Sequence, residues 1–184
     1  MKRFAGMARA TVASAVGAAQ RDGSAEIREE HLLAAVLDSA VGARVLAPLG
    51  DVSTRTRVFE DIARLRRSGG YTAEQRDALS AYGLDLDGLV SRVESQLGDG
   101  VLDERARRRS GGPKLSPAAA GVIERAAREA ADDSSARVDV THLALGLVAS
   151  RGVVGDVLGE HDLTVAAVRT TIRSNRSGQT GQGW

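Results

Sequence analysis

Cysteine is absent, which excludes disulfides, Cys-ligated zinc, iron–sulfur clusters and thiol catalysis. Aromatic residues make up only 3% of the chain, too few for a platform that stacks single-stranded nucleic acid. An excess of one charge is missing too. With 25 basic against 24 acidic side chains, the net +1 sets up no global field toward phosphate backbones or anionic membranes. Only two lysines occur, Lys2 and Lys114, and neither closes a Gly-rich loop, so ATP hydrolysis by a P-loop is excluded. The longest apolar runs, Leu32–Leu37 and Leu143–Ala149, fall far short of the ~20 residues of a membrane span. Arg9 and Arg21-Asp22 interrupt what could otherwise pass for a secretory leader after Met1-Lys2-Arg3, so a cytoplasmic location is expected. What is present is a 184-residue chain, 42% apolar, able to bury roughly 70% of its unfolded surface without staples.

The strongest positive signal is internal repetition. Phe4-Ala5-Gly6-Met7-Ala8 through His31-Leu32 returns, without a gap, as Leu115-Ser116-Pro117-Ala118-Ala119 through His142-Leu143. Phe4 maps to Leu115, Ala8 to Ala119, Val12 to Ile123, Ala15 to Ala126, Ile27 to Val138 and His31 to His142. After a slip of one residue, Val45-Leu46 matches Val157-Leu158. A tandem duplication accounts for this.

Each repeat reads as helices. Phe4, Ala8, Thr11, Val12, Ala15 and Ala19 share one helical face, and Ser116-Pro117 supplies an N-cap and first-turn proline for the equivalent helix. Further helices are expected at about Glu30–Asp38 and Thr141–Ser150, at Val41–Leu49 and Val153–Glu160, and at Asp85–Leu97 and Leu163–Arg173. Ser53–Arg67 has the pattern of an extra helix, with Val58, Ile62 and Leu65 inward and Arg55, Arg57, Arg64, Arg66 and Arg67 mostly outward. No alternating stretch of strand length occurs. The expected fold is all-α: a first repeat over 1–98 with an insertion at about 51–77, a Gly/Arg-rich linker over 99–114, a second repeat over 115–173 and a disordered tail over 174–184.

The Glu30-His31-Leu32-Leu33 motif after Ile27, followed by Val45-Leu46-Ala47-Pro48-Leu49-Gly50, resembles the Clp N-terminal repeat found at the front of ClpA/ClpC-type Hsp100 unfoldases. Asp77–Leu84 looks like a second copy of the Leu-Gly turn. Arg28-Glu29 and Asp139-Val140 stand where that family usually has Gly-Thr, and Thr141 replaces the glutamate before His142. No AAA+ module follows in the sequence, so an N-domain without a motor is expected. By the resemblance, its inter-repeat cleft would hold adaptors, substrate segments or cyclic peptides, with Phe4 at a matching position. In some relatives the glutamate matching Glu30 engages the guanidinium of phosphoarginine. Glu30 is therefore either a ligand contact or a first-turn carboxylate favoured by the helix dipole, an effect of ~0.3–1 kcal/mol.

No catalytic constellation is legible. His31, His142 and His161 lack short metal-ligand spacing, and Gly98-Asp99-Gly100 is too brief for a dinucleotide loop. The adjacent carboxylates Glu29-Glu30 and Asp132-Asp133 are expected to point in different directions. No enzyme activity, metal or cofactor is expected. The candidate ligand-binding residues are Phe4, Glu30, His31, Thr141 and His142; for the two matched histidines a structural role at a helix start is the alternative. His161, without a counterpart, is expected on the surface.

The expected function is a non-enzymatic peptide- or protein-binding module, an adaptor, decoy or sequestering partner in Clp-dependent proteolysis. Clp components or their substrates, arginine-phosphorylated ones included, would be its partners. Sequestration of a cyclic peptide or other small ligand that targets the unfoldase is one alternative. DNA binding through Arg105–Arg109 is another, although such a run is usually solvated linker.

Overall fold

The computed structural model describes residues 3–67 and 112–179, with side chains through Asn175. The first repeat comprises β1 (Arg3–Phe4), α1 (Gly6–Arg21), β2 (Glu26–Ile27), α2 (Glu29–Asp38), α3 (Ala40–Val45), a 3-10 turn (Ala47–Leu49) and α4 (Val52–Arg67). The second comprises β3 (Lys114–Leu115), α5 (Pro117–Asp132), β4 (Arg137–Val138), α6 (Val140–Val148), α7 (Val153–Glu160) and α8 (Val165–Gln179). The fold is all-α, as expected, because each strand has only two residues. The linker as far as residue 111, the expected helix at Asp85–Leu97, the turn at Asp77–Leu84 and the Arg105–Arg109 run lie outside the described residues, whereas Lys114, expected in the linker, opens β3 because it pairs with Glu26.

Local chemistry places the helix starts. Ser116 Oγ accepts from the Ala119 amide at 3.2 Å, and Pro117 follows where a missing N–H costs nothing. The matching start of α1 has Ala5 and no side-chain cap. Ala8, Thr11, Ala15 and Ala19 form the buried stripe of α1, as their spacing predicts, while Phe4 lies just before the helix, on β1. α2 and α6 are central, apolar on most sides, and α6 packs on α5, α2, α3, α7 and α8. At Gly42 a Cβ would run into the Val36 carbonyl, and at Gly155 into the Ser150 carbonyl. These two glycines let the short helices α3 and α7 fold back closely on the helices before them.

The repeats interlock. β1 pairs in parallel with β4 (Arg3 with Arg137, Phe4 with Val138), and β2 pairs with β3 (Glu26 with Lys114, Ile27 with Leu115). The Ala5 amide donates to the Val138 carbonyl at 2.8 Å, and the Ser116 amide to the Ile27 carbonyl at 3.0 Å. Each α-helical entry is thus fixed by a strand of the other repeat. The same exchange recurs among helices: α4 packs on α7 and α8 packs on α3. The stretch expected as inserted material therefore supplies, within the described residues, the helix that crosses onto the second repeat. Val58, Ile62 and Leu65 are its buried face.

Three details depart from the sequence reading. α8 continues through Gln179, beyond the helix end expected at 173 and into the stretch expected as a disordered tail, although Ser174, Asn175, Ser177 and Gly178 are weak helix formers. Arg66, expected to point outward, turns inward toward two carboxylates. His161, expected on the surface, lies at the end of α7, where its Nε2 meets Asp61 Oδ2 of α4 at 3.0 Å.

Candidate functional site

The two matched histidines each bridge two helix ends. The Arg28 amide donates to His31 Nδ1 at 2.9 Å, and the Asp139 amide donates to His142 Nδ1 at 3.1 Å. Each ring thereby satisfies the N-cap amide of the helix that carries it, three residues back. The other nitrogen faces the end of the preceding helix: His31 Nε2 is 3.3 Å from Asp22 Oδ2, and His142 Nε2 is 3.7 Å from Asp133 Oδ2. A histidine in this frame ties the C-terminus of one helix to the N-terminus of the next, a structural reason for its presence in both copies.

Asp139 completes the second start. Its Oδ1 accepts from the Thr141 amide at 2.9 Å, the His142 amide at 3.1 Å and Thr141 Oγ1 at 2.5 Å. Burial works against ionisation there, but the hydrogen bonds from His142 and Thr141 and the nearby imidazole outweigh it. The carboxyl is held well below the usual range. Arg28, the matching residue, offers no such acceptor.

Beside Thr141 and His142 opens a cleft of about 260 Å³, lined by Glu129, Asp133, Arg169 and Ile172 among others. Arg169 Nη2 donates to the buried Glu129 at 2.6 Å, spanning from α8 to α5. His142 Nδ1 also lies 2.7 Å from Asp139 Oδ1. Nε2 is buried and has no hydrogen-bond partner among the described residues. Asp132 and Asp133, expected to diverge, both line this cleft, since the helix ends between them and frees their directions.

The corresponding corner of the first repeat is occupied by the chain itself. Arg66 Nη2 donates to Glu30 Oε2 at 2.5 Å and lies 3.8 Å from Glu29 Oε2. Arg28 Nη1 is 3.9 Å from Glu30 Oε1. Glu29 and Glu30 thus converge on one guanidinium, contrary to the expectation that neighbouring carboxylates diverge; the long arm of Arg66 reaches across from α4 to meet both. Glu29 is only 1% exposed. Burial pushes its carboxyl up, against the pull of Ser150, Arg66 and the Val154 amide. Its carboxylate lies so near Gly152, at the start of α7, that a Cβ there would collide with it.

Of the five candidate residues, Thr141 and His142 line one cleft, and Phe4 is not among its lining. Phe4 pairs with Val138 immediately before the α6 cap and packs against the core. Glu30 and His31 form the other, related corner. Sequence reasoning missed Glu29 and Arg66, and also Glu129 and Arg169. The duplication held a signal for the first: Glu29 aligns with Val140, so a charge stands where the other copy buries a hydrocarbon.

The family model of the Clp repeat (R) N-terminal domain matches residues 70–161, half of the chain. The chain belongs to the Clp N-terminal repeat family. Solved structures agree on the fold of the Clp repeats. The N-terminal domain of Hsp104 from Candida albicans superposes with a TM-score of 0.52 at 15% identity, covering 95% of this chain and 92% of that one. The N-terminal domain of the ClpD chaperone from Arabidopsis thaliana gives 0.51 at 18% identity, covering 93% and 95%. A chain from a malarial protein secretion system gives 0.53 at 15%, covering 94% of each. No curated protein matches.

Proposed function

We propose that this Clp-repeat chain is a non-catalytic module that binds a segment of a protein, and that it acts as an adaptor, decoy or sequestering partner in Clp-dependent proteolysis. The observation that carries this reading is the open cleft at the Thr141–His142 corner, in a chain of this family. His142 Nε2 is buried there without a hydrogen-bond partner among the described residues, and leaving a buried polar group unsatisfied costs about 1–3 kcal/mol. A polar backbone group of an entering peptide would meet it, with Leu145 and Ile172 as apolar contacts and Arg169 and Arg173 at the rim. The first-repeat corner is a poorer entrance, because a ligand guanidinium seeking Glu30 would have to displace Arg66.

The test is a reconstituted Clp unfoldase–peptidase reaction on an unfolded model substrate, with and without this chain, alongside direct binding to both components. An adaptor accelerates degradation and a decoy slows it. Thr141→Tyr, which plugs the cleft, is expected to abolish either effect while far-UV circular dichroism stays unchanged. No effect on degradation and no binding to unfoldase or substrate would overturn the proposal.

A further inference from the structure

A second cleft, of about 200 Å³, opens on the seam between the repeats. Arg125 and Arg128 of α5 and Arg151 of the α6–α7 loop stand around it, with Glu29, Ser150 and Gly152 beneath. Several other arginines find carboxylates, Arg28 and Arg66 meeting Glu30, Arg64 meeting Asp61 and Arg169 meeting Glu129, while Arg9, Arg57 and Arg67 stand singly, among the described residues, on the exposed surface. Arg125, Arg128 and Arg151 have no ion pair or hydrogen bond of their side chains among the described residues. With Glu29 the one carboxylate in the lining against three guanidinium groups, the cleft carries an excess of positive charge that a bound anion would offset.

A second observation lies in the floor. Glu29 Oε1 is buried and has no hydrogen-bond partner among the described residues, Ser150 and the Val154 amide interacting with the carboxyl group as a whole. A bare small anion settling onto the arginines would face that oxygen and be repelled. A ligand that suits both features carries anions for the rim and a neutral hydrogen-bond donor for the floor. An acidic peptide does so, because its backbone N–H groups lie between its side chains. The spacing also agrees: residues three apart on a helix have Cβ atoms ~5–6 Å apart, and alternate side chains of an extended peptide lie roughly 6–7 Å apart.

We infer that this cleft docks an acidic segment of a partner protein, its carboxylates on Arg125, Arg128 and Arg151 and one of its N–H groups on Glu29 Oε1. The inference rests on the reading of the chain as a protein-binding module and names a second contact, with its chemistry, for that module.

The probe is a fluorescein-labelled octapeptide of alternating Asp and Glu, blocked at both ends, with its Asn/Gln counterpart as the neutral control. Anisotropy titrations would use the full chain, an R125A/R128A/R151A variant, and an R9A/R57A/R67A variant that removes the same charge elsewhere. The expected result is saturable binding of the acidic peptide alone, weakened at least tenfold by the first variant and less than threefold by the second. Backbone amide shifts are expected at Ser150–Val154. Because the rim arginines are half-buried or exposed, circular dichroism of the first variant is expected to match the parent. Equal weakening by both triple variants would overturn the inference by showing a non-specific charge effect. So would inorganic phosphate binding at these amides while the peptide does not. If the peptide fails to bind but the chain still modulates Clp degradation in a Thr141→Tyr-sensitive way, this inference falls and the module reading stands.

Discussion

Replacing Arg66 by methionine is expected to destabilise the chain by about 2 kcal/mol at pH 7.5, through Glu29 more than through lost packing. Removing one partner of a buried pair costs ~3–5 kcal/mol when the other charge is left sealed in. Here the figure is reduced for two reasons. The Arg66 side chain is 23% exposed, so water already screens it in part, and its Nη2 lies 3.8 Å from Glu29, long for an ion pair. Methionine keeps most of the aliphatic stem and so isolates the charge. At about 2–4 °C per kcal/mol, the melting temperature is expected to fall about 4–8 °C.

The pH dependence separates this account from a packing defect. Glu29 holds its proton in the folded state to a higher pH than in the unfolded chain. Between the usual carboxylate range and its raised value the native state therefore binds more protons, and stability falls as pH rises through that window. Without Arg66 the window widens upward, so the cost of Arg66→Met is expected to be smaller at pH 5 than at pH 7.5. Glu29→Val, which copies Val140 of the second repeat, is expected to stay within about 1 kcal/mol of the parent, because an ion pair can often be replaced by hydrocarbon. In the Glu29→Val background, Arg66→Met is expected to cost at least about 1 kcal/mol less. Urea melts of the four proteins at both pH values make the measurement. A cost that is the same at both pH values and in both backgrounds refutes the reasoning.

Two further outcomes follow from the cap geometry. Ser134 sits at φ 53°, where the matching residue of the first repeat is Gly23 at φ 64°. Ser134→Gly is expected to stabilise by about 0.5–1 kcal/mol, read as a higher urea midpoint, since an L side chain there costs ~1–2 kcal/mol and glycine loses part of the gain to unfolded-chain entropy; a lower midpoint contradicts this. Asp139→Ala is expected to cost about 1–2 kcal/mol at pH 7 through loss of the α6 cap. Because the folded carboxyl is held below the unfolded one, that stabilisation is present above the ordinary aspartate range and is lost as pH falls. The gap between variant and parent is thus expected to narrow from pH 4 to pH 2.5, and urea midpoints that stay parallel would count against it.

Much of the fold was legible because its determinants are local. Periodicity gave the helices, Ser116-Pro117 gave a start, and the duplicated His31 and His142 gave the frame, since a cap needs only residues three apart. The inward turn of Arg66 was not legible. Its position reads as the outer face of a basic helix, and only the long-range approach of α4 to α2 brings it to Glu29 and Glu30. The His161–Asp61 pair was hidden for the same reason. Of the site, the Thr141–His142 corner could be named from the repeat alone. The role of Glu129 and Arg169 in walling it could not, because only the approach of α8 to α5, 40 residues apart in sequence, brings the two together.

The exchange of strands between the repeats bears on how the chain is made. A ribosome adds ~5–20 residues per second, so Arg3–Phe4 emerges on the order of 10 s before its partner Arg137–Val138. Throughout that interval the first repeat has no strand for β1, no cover from α7 over Val58 and Ile62, and a carboxylate, Glu29, whose helix start at Gly152 does not yet exist. The amino-terminal half therefore cannot complete its fold during synthesis. Among the described residues, the apolar face of α4 gains its cover from the second repeat only when that half arrives.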